Sequence, residues 1–102
     1  MNIISIYFER SGGFTAIPLQ AEIPATAFSA AEAEEIGRLL ERSGFFSFLT
    51  PGKPEGWVPD QFIYRIEVEL TDLRHDVLVY EQQVTDDLRP LIRFLTRKAR
   101  GI

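Results

Sequence analysis

The chain has 102 residues with a net charge of −4, a single histidine and no cysteine. This length predicts one domain, 1–102, since a single hydrophobic core usually serves about 50–200 residues, and 45% hydrophobic residues are enough to form one. The lack of cysteine excludes disulfide scaffolds and thiol catalysis, one histidine excludes a multi-histidine metal site, and the acidic balance argues against general nucleic-acid binding.

The start of the chain predicts a soluble protein in the cytoplasm. Residues 1–6 contain no basic region, and Glu9 and Arg10 interrupt the apolar residues too early for a signal peptide. No stretch approaches the roughly 20 apolar residues that a membrane-spanning helix needs. We therefore expect no membrane association.

Two strands are predicted before the first helix. Apolar residues alternate with others from Ile4 to Phe8, the period of a half-buried strand. Ser11-Gly12-Gly13 breaks this run, because paired glycines readily supply the positive φ angles of a tight turn. A second strand is predicted over Phe14–Ile23, and Pro18, which cannot donate to a ladder, places it at a sheet edge or a bulge.

The clearest helix signal in the sequence begins at Ser29. Glu32 follows three residues later and completes a capping box. Gly44 is a plausible left-handed terminator, and the apolar run Phe45–Leu49 is expected to close one end of the core. The apolar stripe of this helix consists of Ala33, Ile36, Gly37 and Leu40.

A hairpin is predicted after a proline- and glycine-rich loop that covers residues 50–60 and carries Trp57. Apolar and polar residues alternate along 61–70, which is typical of a half-buried strand. Thr71-Asp72-Leu73 can turn the chain into a fourth strand over Arg74–Gln82.

The last segment is predicted to be a helix capped by Asp87, with Pro90 in its first turn. Its apolar face consists of Leu88, Leu91, Ile92 and Leu95. The element order is ββαββα. We therefore predict an α+β fold in which two helices pack on one face of a four-stranded antiparallel sheet.

Signals for catalysis are weak. Gly52-Lys53 is followed by Pro54 where a P-loop needs a hydroxyl residue. Glu67 and Glu69 share a strand face but are better explained as the polar side of the sheet, and His75 has no nucleophile placed beside it. We predict that the chain is not an enzyme and that it holds no cofactor or metal.

A basic stripe runs along the last helix. A nucleic-acid or lipid contact would explain it, but a solvated face whose charges suit the helix dipole is the favoured interpretation. The stripe consists of Arg89, Arg93, Arg97 and Arg100.

Two aromatic residues stand in turns. Phe14 follows the glycine pair, and Trp57 lies in the loop 50–60. Each could pack against a helix end, or each could be an exposed anchor for a protein partner, because aromatic residues dominate interface hot spots. The sequence leaves both alternatives open.

Five short segments, in the same order along nearly the whole chain, resemble the signature of the emfourin family. The first is similar to the family's "SGGFAGI" segment, and the others are similar to its double aromatic, its "D-R-F-x-Y-x-I-x-V" strand, its "R-H-T-V" strand start and its "L-R-P-L" helix. In this sequence they are Ser11–Ile17, Phe45-Phe46, Pro59–Val68, Arg74–Val77 and Leu88–Ile92.

The resemblance implies a proteinaceous inhibitor of thermolysin-like (M4) zinc metalloproteases, a small bacterial protein. Our own hypothesis is that a loop of the chain occludes the protease cleft, and we assume that the chain acts as a monomer. The zinc would belong to the protease, which generally prefers bulky apolar side chains next to the scissile bond. The alternative is a non-catalytic interaction module with another partner. The candidate contact residues are Ser11, Gly12, Gly13, Phe14, Trp57 and Asp60.

Overall fold

The computed structural model describes residues 1–14 and 16–102, and within them the element order ββαββα is confirmed. Short 3-10 turns at Ala25–Ala27, Phe45–Ser47 and Glu81–Gln83 connect the longer elements. The strands and helices are β1 (Ile3–Gly12), β2 (Leu19–Pro24), α1 (Ala30–Ser43), β3 (Phe62–Leu70), β4 (Arg74–Tyr80) and α2 (Arg89–Arg100).

The four strands form one antiparallel sheet in the order β2-β1-β3-β4. Alternate residues of each strand are buried, and these lie on the face that carries both helices. The predicted α+β fold is therefore confirmed, and β2 is an edge strand, which is one of the two alternatives predicted for it. The largest fully buried side chains include Phe8, Ile23, Ile66 and Val77 from the sheet and Ile36, Leu40, Leu91 and Leu95 from the helices.

Helix α1 begins with the predicted capping box. The Ser29 Oγ accepts a hydrogen bond from the Glu32 N–H at 3.1 Å, and the Glu32 Oε1 accepts one from the Ser29 N–H at 2.9 Å. Lys98 of α2 lies 3.0 Å from the same Oε1 and so ties the two helices together. The hydrogen bond from the Ser29 backbone, followed by that from Lys98, lowers the pKa of the Glu32 carboxyl. The helix ends at Gly44, which has a φ of +66°, as predicted.

The Ser29→Ala variant should lose about 1 kcal/mol of unfolding free energy, because one N-terminal N–H group of α1 loses its acceptor. For a domain of this size the melting temperature should fall by about 4–8 °C, which thermal denaturation followed by circular dichroism would measure. Ser47→Ala is the matched control, since Ser47 is exposed. Equal melting temperatures for the two variants would contradict a stabilising cap.

The first hairpin differs from its prediction at both strand ends. Strand β1 continues through Ser11 and Gly12, which pairs with Phe62, so the break begins at Gly13, two residues after the predicted position. Strand β2 begins at Leu19 and not at Phe14, because residues 16–18 are exposed and Pro18 has no N–H to donate. Thr15, which the predicted strand included, lies outside the described residues.

Strand β4 ends at Tyr80 and not at Gln82. The Glu81 carboxylate accepts a hydrogen bond from the Phe62 N–H at 2.7 Å, and the chain turns there into a 3-10 turn. The Glu81 side chain thus accepts from the Phe62 N–H in place of a further backbone hydrogen bond between β3 and β4.

Two further predictions were wrong. Asp87 does not cap α2, because the N-cap position is occupied by Leu88 and the helix begins at Arg89 with Pro90 in its first turn. In the turn that precedes the helix, the Thr85 Oγ1 accepts from the Leu88 N–H at 3.1 Å. Leu49 does not help to close the core, because it is 81% exposed.

In the part of the chain that the structure describes, no helix is long and apolar enough to cross a membrane.

Candidate functional site

The turn after β1 is held against the start of β3 by its two glycines. The Gly13 N–H donates to the Pro59 carbonyl at 3.1 Å. A Cβ atom at Gly13 would lie 2.3 Å from the Phe62 ring, and one at Gly12 would lie 2.5 Å from the Gln61 carbonyl oxygen. Both glycines also have positive φ angles, +62° and +80°. Glycine is therefore required at both positions for the loop to lie this close to the turn.

Phe14 projects from this turn into solvent. Its side chain is 84% exposed, and its φ of +62° places it in the left-handed region. A bulky residue rarely adopts this conformation, which costs an L-residue about 1–2 kcal/mol. Ile17, which follows in the same connection, is 82% exposed. Of the two alternatives for Phe14, packing against a helix end is therefore wrong.

Trp57 has a different environment on the far side of β3. The Trp57 ring packs edge-on against the Tyr80 ring, and the two ring centroids are 5.6 Å apart. The Lys53 Nζ lies 5.2 Å from the centroid of the Trp57 ring. The side chain is half-buried. Its indole N–H is nevertheless buried and has no hydrogen-bond partner among the described residues, and the same holds for the Oε1 of Gln61. Trp57 is thus partly packed within its own chain.

Asp60 lies beside the glycine turn. It occupies a tight turn closed by the Gln61 N–H, which donates to the Val58 carbonyl at 3.1 Å, and it is exposed. The hydrogen bond from Gly13 to its neighbour Pro59 holds it near Phe14. The structure therefore brings Ser11–Phe14 and Asp60 to one end of the sheet and places Trp57 on the β4 side of that end.

A family model described as Emfourin matches residues 8–96. The chain belongs to the Emfourin family. This membership confirms the predicted resemblance and the prediction that the chain is not an enzyme. No curated protein matches the chain.

Among solved structures, the chain is similar to "Emfourin (M4in) from Serratia proteamaculans, M4 family peptidase inhibitor". The two are 21% identical, and the match covers 88% of this chain and 86% of that one with a TM-score of 0.46. At this level of similarity, no residue role can be assigned to this Emfourin member from the solved structure.

Three residues that contribute to the site were not predicted from the sequence. Phe62 was predicted only as part of the strand along 61–70, yet its half-buried ring packs against Gly13. The second residue is Arg10, whose guanidinium lies 4.5 Å from the centroid of that ring. The third is Ile17, which was placed in a strand and is exposed in the connection between β1 and β2. The position of Phe62 next to the glycine turn follows only from the strand register, which pairs Gly12 with Phe62.

The carboxylates considered for catalysis are engaged in ion pairs in this Emfourin member. Arg74 lies 3.1 Å from the Glu67 carboxylate and 3.5 Å from that of Glu69. The Nε2 of His75 donates to the Phe48 carbonyl at 2.8 Å, and its ring packs edge-on against Phe45 with the centroids 5.3 Å apart. These contacts give Glu67, Glu69 and His75 structural roles.

The uncovered face of the sheet also carries Tyr7. Its hydroxyl donates to the Glu9 carboxylate at 2.6 Å. This hydrogen bond, together with burial, raises the pKa of Tyr7 to about 12, so the phenol stays neutral at physiological pH. Within the described residues, no group of three or more His, Cys, Asp or Glu side chains is placed to hold a metal ion.

Proposed function

We propose that the chain is a monomeric protein inhibitor of a thermolysin-like (M4) zinc metallopeptidase and that it occludes the active-site cleft with the glycine turn, Ser11–Phe14. Membership of the Emfourin family supports this proposal, and the solved relative is described as an M4 family peptidase inhibitor. The zinc ion belongs to the peptidase.

The observation that carries the proposal is the state of Phe14. A large apolar side chain that is 84% exposed at a φ of +62° gains little from its own fold and costs it backbone strain. Burial of the Phe14 ring in a complex would explain why the fold keeps this side chain exposed and its backbone strained. Thermolysin-like enzymes prefer bulky apolar side chains next to the scissile bond, and Phe14 has the size and polarity for that pocket.

The turn is suited to tight binding because the fold already holds it in place. The hydrogen bond from Gly13 to Pro59 and the packing of Phe62 against Gly13 restrict the turn before the peptidase arrives. A preorganised loop loses little conformational entropy on association, which increases affinity. Asp60 then contacts the rim of the cleft with its carboxylate.

Trp57 forms a second contact in this proposal. The exposed part of its half-buried side chain is available to pack against the peptidase next to the cleft. Aromatic residues of this kind dominate interface hot spots. Since the ring already packs on Tyr80, we assign Trp57 a smaller share of the binding energy than Phe14.

The test is an inhibition assay of the purified chain against a thermolysin-like peptidase and against zinc peptidases of other families, with a peptide substrate. We expect stoichiometric inhibition of the thermolysin-like enzyme alone, with competitive dependence on the substrate. Inhibition that is indifferent to substrate concentration would overturn cleft occlusion. A complete lack of inhibition would overturn the proposed function and favour an interaction module with another partner.

A further inference from the structure

A basic groove lies between α2 and the end of the sheet from which the glycine turn projects. Its volume is about 380 Å³. Arg10 of β1 lines it together with three arginines of α2, and Tyr64 and Ile92 contribute to its wall. The α2 arginines are Arg93, Arg97 and Arg100. The structure thus separates these three from Arg89, which belonged to the same predicted stripe, and adds Arg10.

Among the residues that the structure describes, no carboxylate forms an ion pair with any of the four groove arginines. Each ion pair of the described residues involves other basic groups: Arg89 pairs with Asp86 at 2.6 Å, and Lys98 pairs with Glu32. The nearby Glu81 carboxylate accepts from the Phe62 N–H. A chain with 15 acidic and 11 basic side chains therefore leaves four cations together without an anion.

The groove and the glycine turn form one continuous surface. The Arg10 guanidinium lies 4.5 Å from the centroid of the Phe62 ring, and the same ring packs directly against Gly13. Arg10 also pairs with Tyr64 across the two strands. A partner that covers Phe14 would therefore have the groove at the edge of its footprint.

The chemistry of the groove favours carboxylates on a protein surface. Guanidinium groups bind carboxylates in a bidentate geometry, and arginine and tyrosine are the residue types that protein interfaces enrich. A nucleic acid fits less well, because nucleic-acid-binding domains are generally basic overall, whereas this chain has a net charge of −4. Burial, with a contribution from Glu81, raises the pKa of Tyr64, so its hydroxyl remains a hydrogen-bond donor at neutral pH.

We propose that this groove binds an acidic patch on the target peptidase next to the active-site cleft and that it accelerates association. The inference rests on the proposed function and extends it to a second contact region. Charged groups at the rim of an interface act mainly on the association rate, since they steer the encounter.

The experiment measures association rates from progress curves of peptidase inhibition at about 20 mM and about 300 mM salt, where screening differs strongly. The wild type should associate about 10-fold more slowly at the higher salt concentration. The Arg93→Gln/Arg97→Gln double variant should associate about 10-fold more slowly than wild type at low salt and lose most of the salt dependence.

The matched control is Arg42→Gln/Arg89→Gln, which removes the same two charges from helix residues that do not line the groove. It should retain the wild-type rate and salt dependence to within about 2-fold. Circular dichroism and thermal denaturation of both double variants would verify that they are folded.

The outcomes separate the two proposals. If the wild type inhibits and both double variants behave alike, the groove proposal is overturned while the proposed function stands. If the wild type inhibits no M4 peptidase, both are overturned. If the groove variant inhibits normally but loses binding to a fluorescent single-stranded oligonucleotide or to anionic vesicles, the groove serves a different anion and the proposal is wrong.

Discussion

The Phe14→Ala variant is expected to inhibit an M4 peptidase at least about 30-fold more weakly than the wild type, since truncating an interface hot spot costs about 2 kcal/mol or more. Its unfolding free energy should change by less than about 0.5 kcal/mol, because the ring is 84% exposed in the free chain. Inhibition constants and urea denaturation measure the two effects separately.

Leu49→Ala is the matched control for Phe14→Ala. Leu49 is also a large apolar residue at 81% exposure, but it follows the 3-10 turn Phe45–Ser47 and lies outside the proposed contact surface. Its truncation should leave the inhibition constant within about 2-fold of the wild type. Equal losses for Leu49→Ala and Phe14→Ala would indicate non-specific hydrophobic association and contradict an anchor at Phe14.

A Phe14→Gly variant sharpens the same prediction. Glycine adopts the φ of +62° without steric cost, so this variant should gain about 1 kcal/mol of unfolding free energy while it loses inhibition. Opposite changes in stability and inhibition are the expected signature of a residue that is strained for binding. Retained inhibition in both Phe14 variants would remove this residue from the mechanism.

The Gly12→Ala variant should lose about 3 kcal/mol of unfolding free energy. The positive φ of +80° costs an alanine about 1–2 kcal/mol, and its Cβ would lie 2.5 Å from the Gln61 carbonyl oxygen. Backbone has to move to relieve that contact, which adds a cost of the size seen for overpacking. Because that movement separates the loop from the glycine turn, inhibition should fall as well.

Gly56→Ala is the control for the close approach at Gly12. Gly56 has a φ of +75°, but nothing lies within 4 Å of a Cβ built on it. Its substitution should therefore cost only the strain, about 1–2 kcal/mol. Urea denaturation of both variants isolates the steric contribution. If Gly12→Ala and Gly56→Ala are equally destabilised, the packing of the turn against Gln61 does not stabilise the fold.

The elements that were predicted correctly are those whose signal is local. The capping box of Ser29 and Glu32 involves residues three apart, and the alternation along β3 identifies its buried face without knowledge of the neighbouring strands. The end of β4 was predicted wrongly because it depends on a distant partner. The Glu81 side chain ends this strand because it reaches Phe62.

In the candidate site, too, the sequence predicted the local features but not those that depend on contacts between distant residues. The glycine pair predicted a tight turn with Phe14 beside it, and both are present. The sequence alone could not distinguish the exposed Phe14 from the partly packed Trp57, because that difference depends on which strand each loop contacts. Tyr80 packs against Trp57, whereas Phe14 projects from the turn with 84% of its side chain exposed.

By itself, the sequence determined the order ββαββα, the buried faces and the lack of thiol chemistry, since these follow from residue types and short spacings. Only the tertiary structure decided that Phe62 supports Gly13 and that Arg10 joins the arginines of α2 in one groove. The physical reason is that strand register and helix docking bring together residues far apart in the chain, and no local period specifies those contacts.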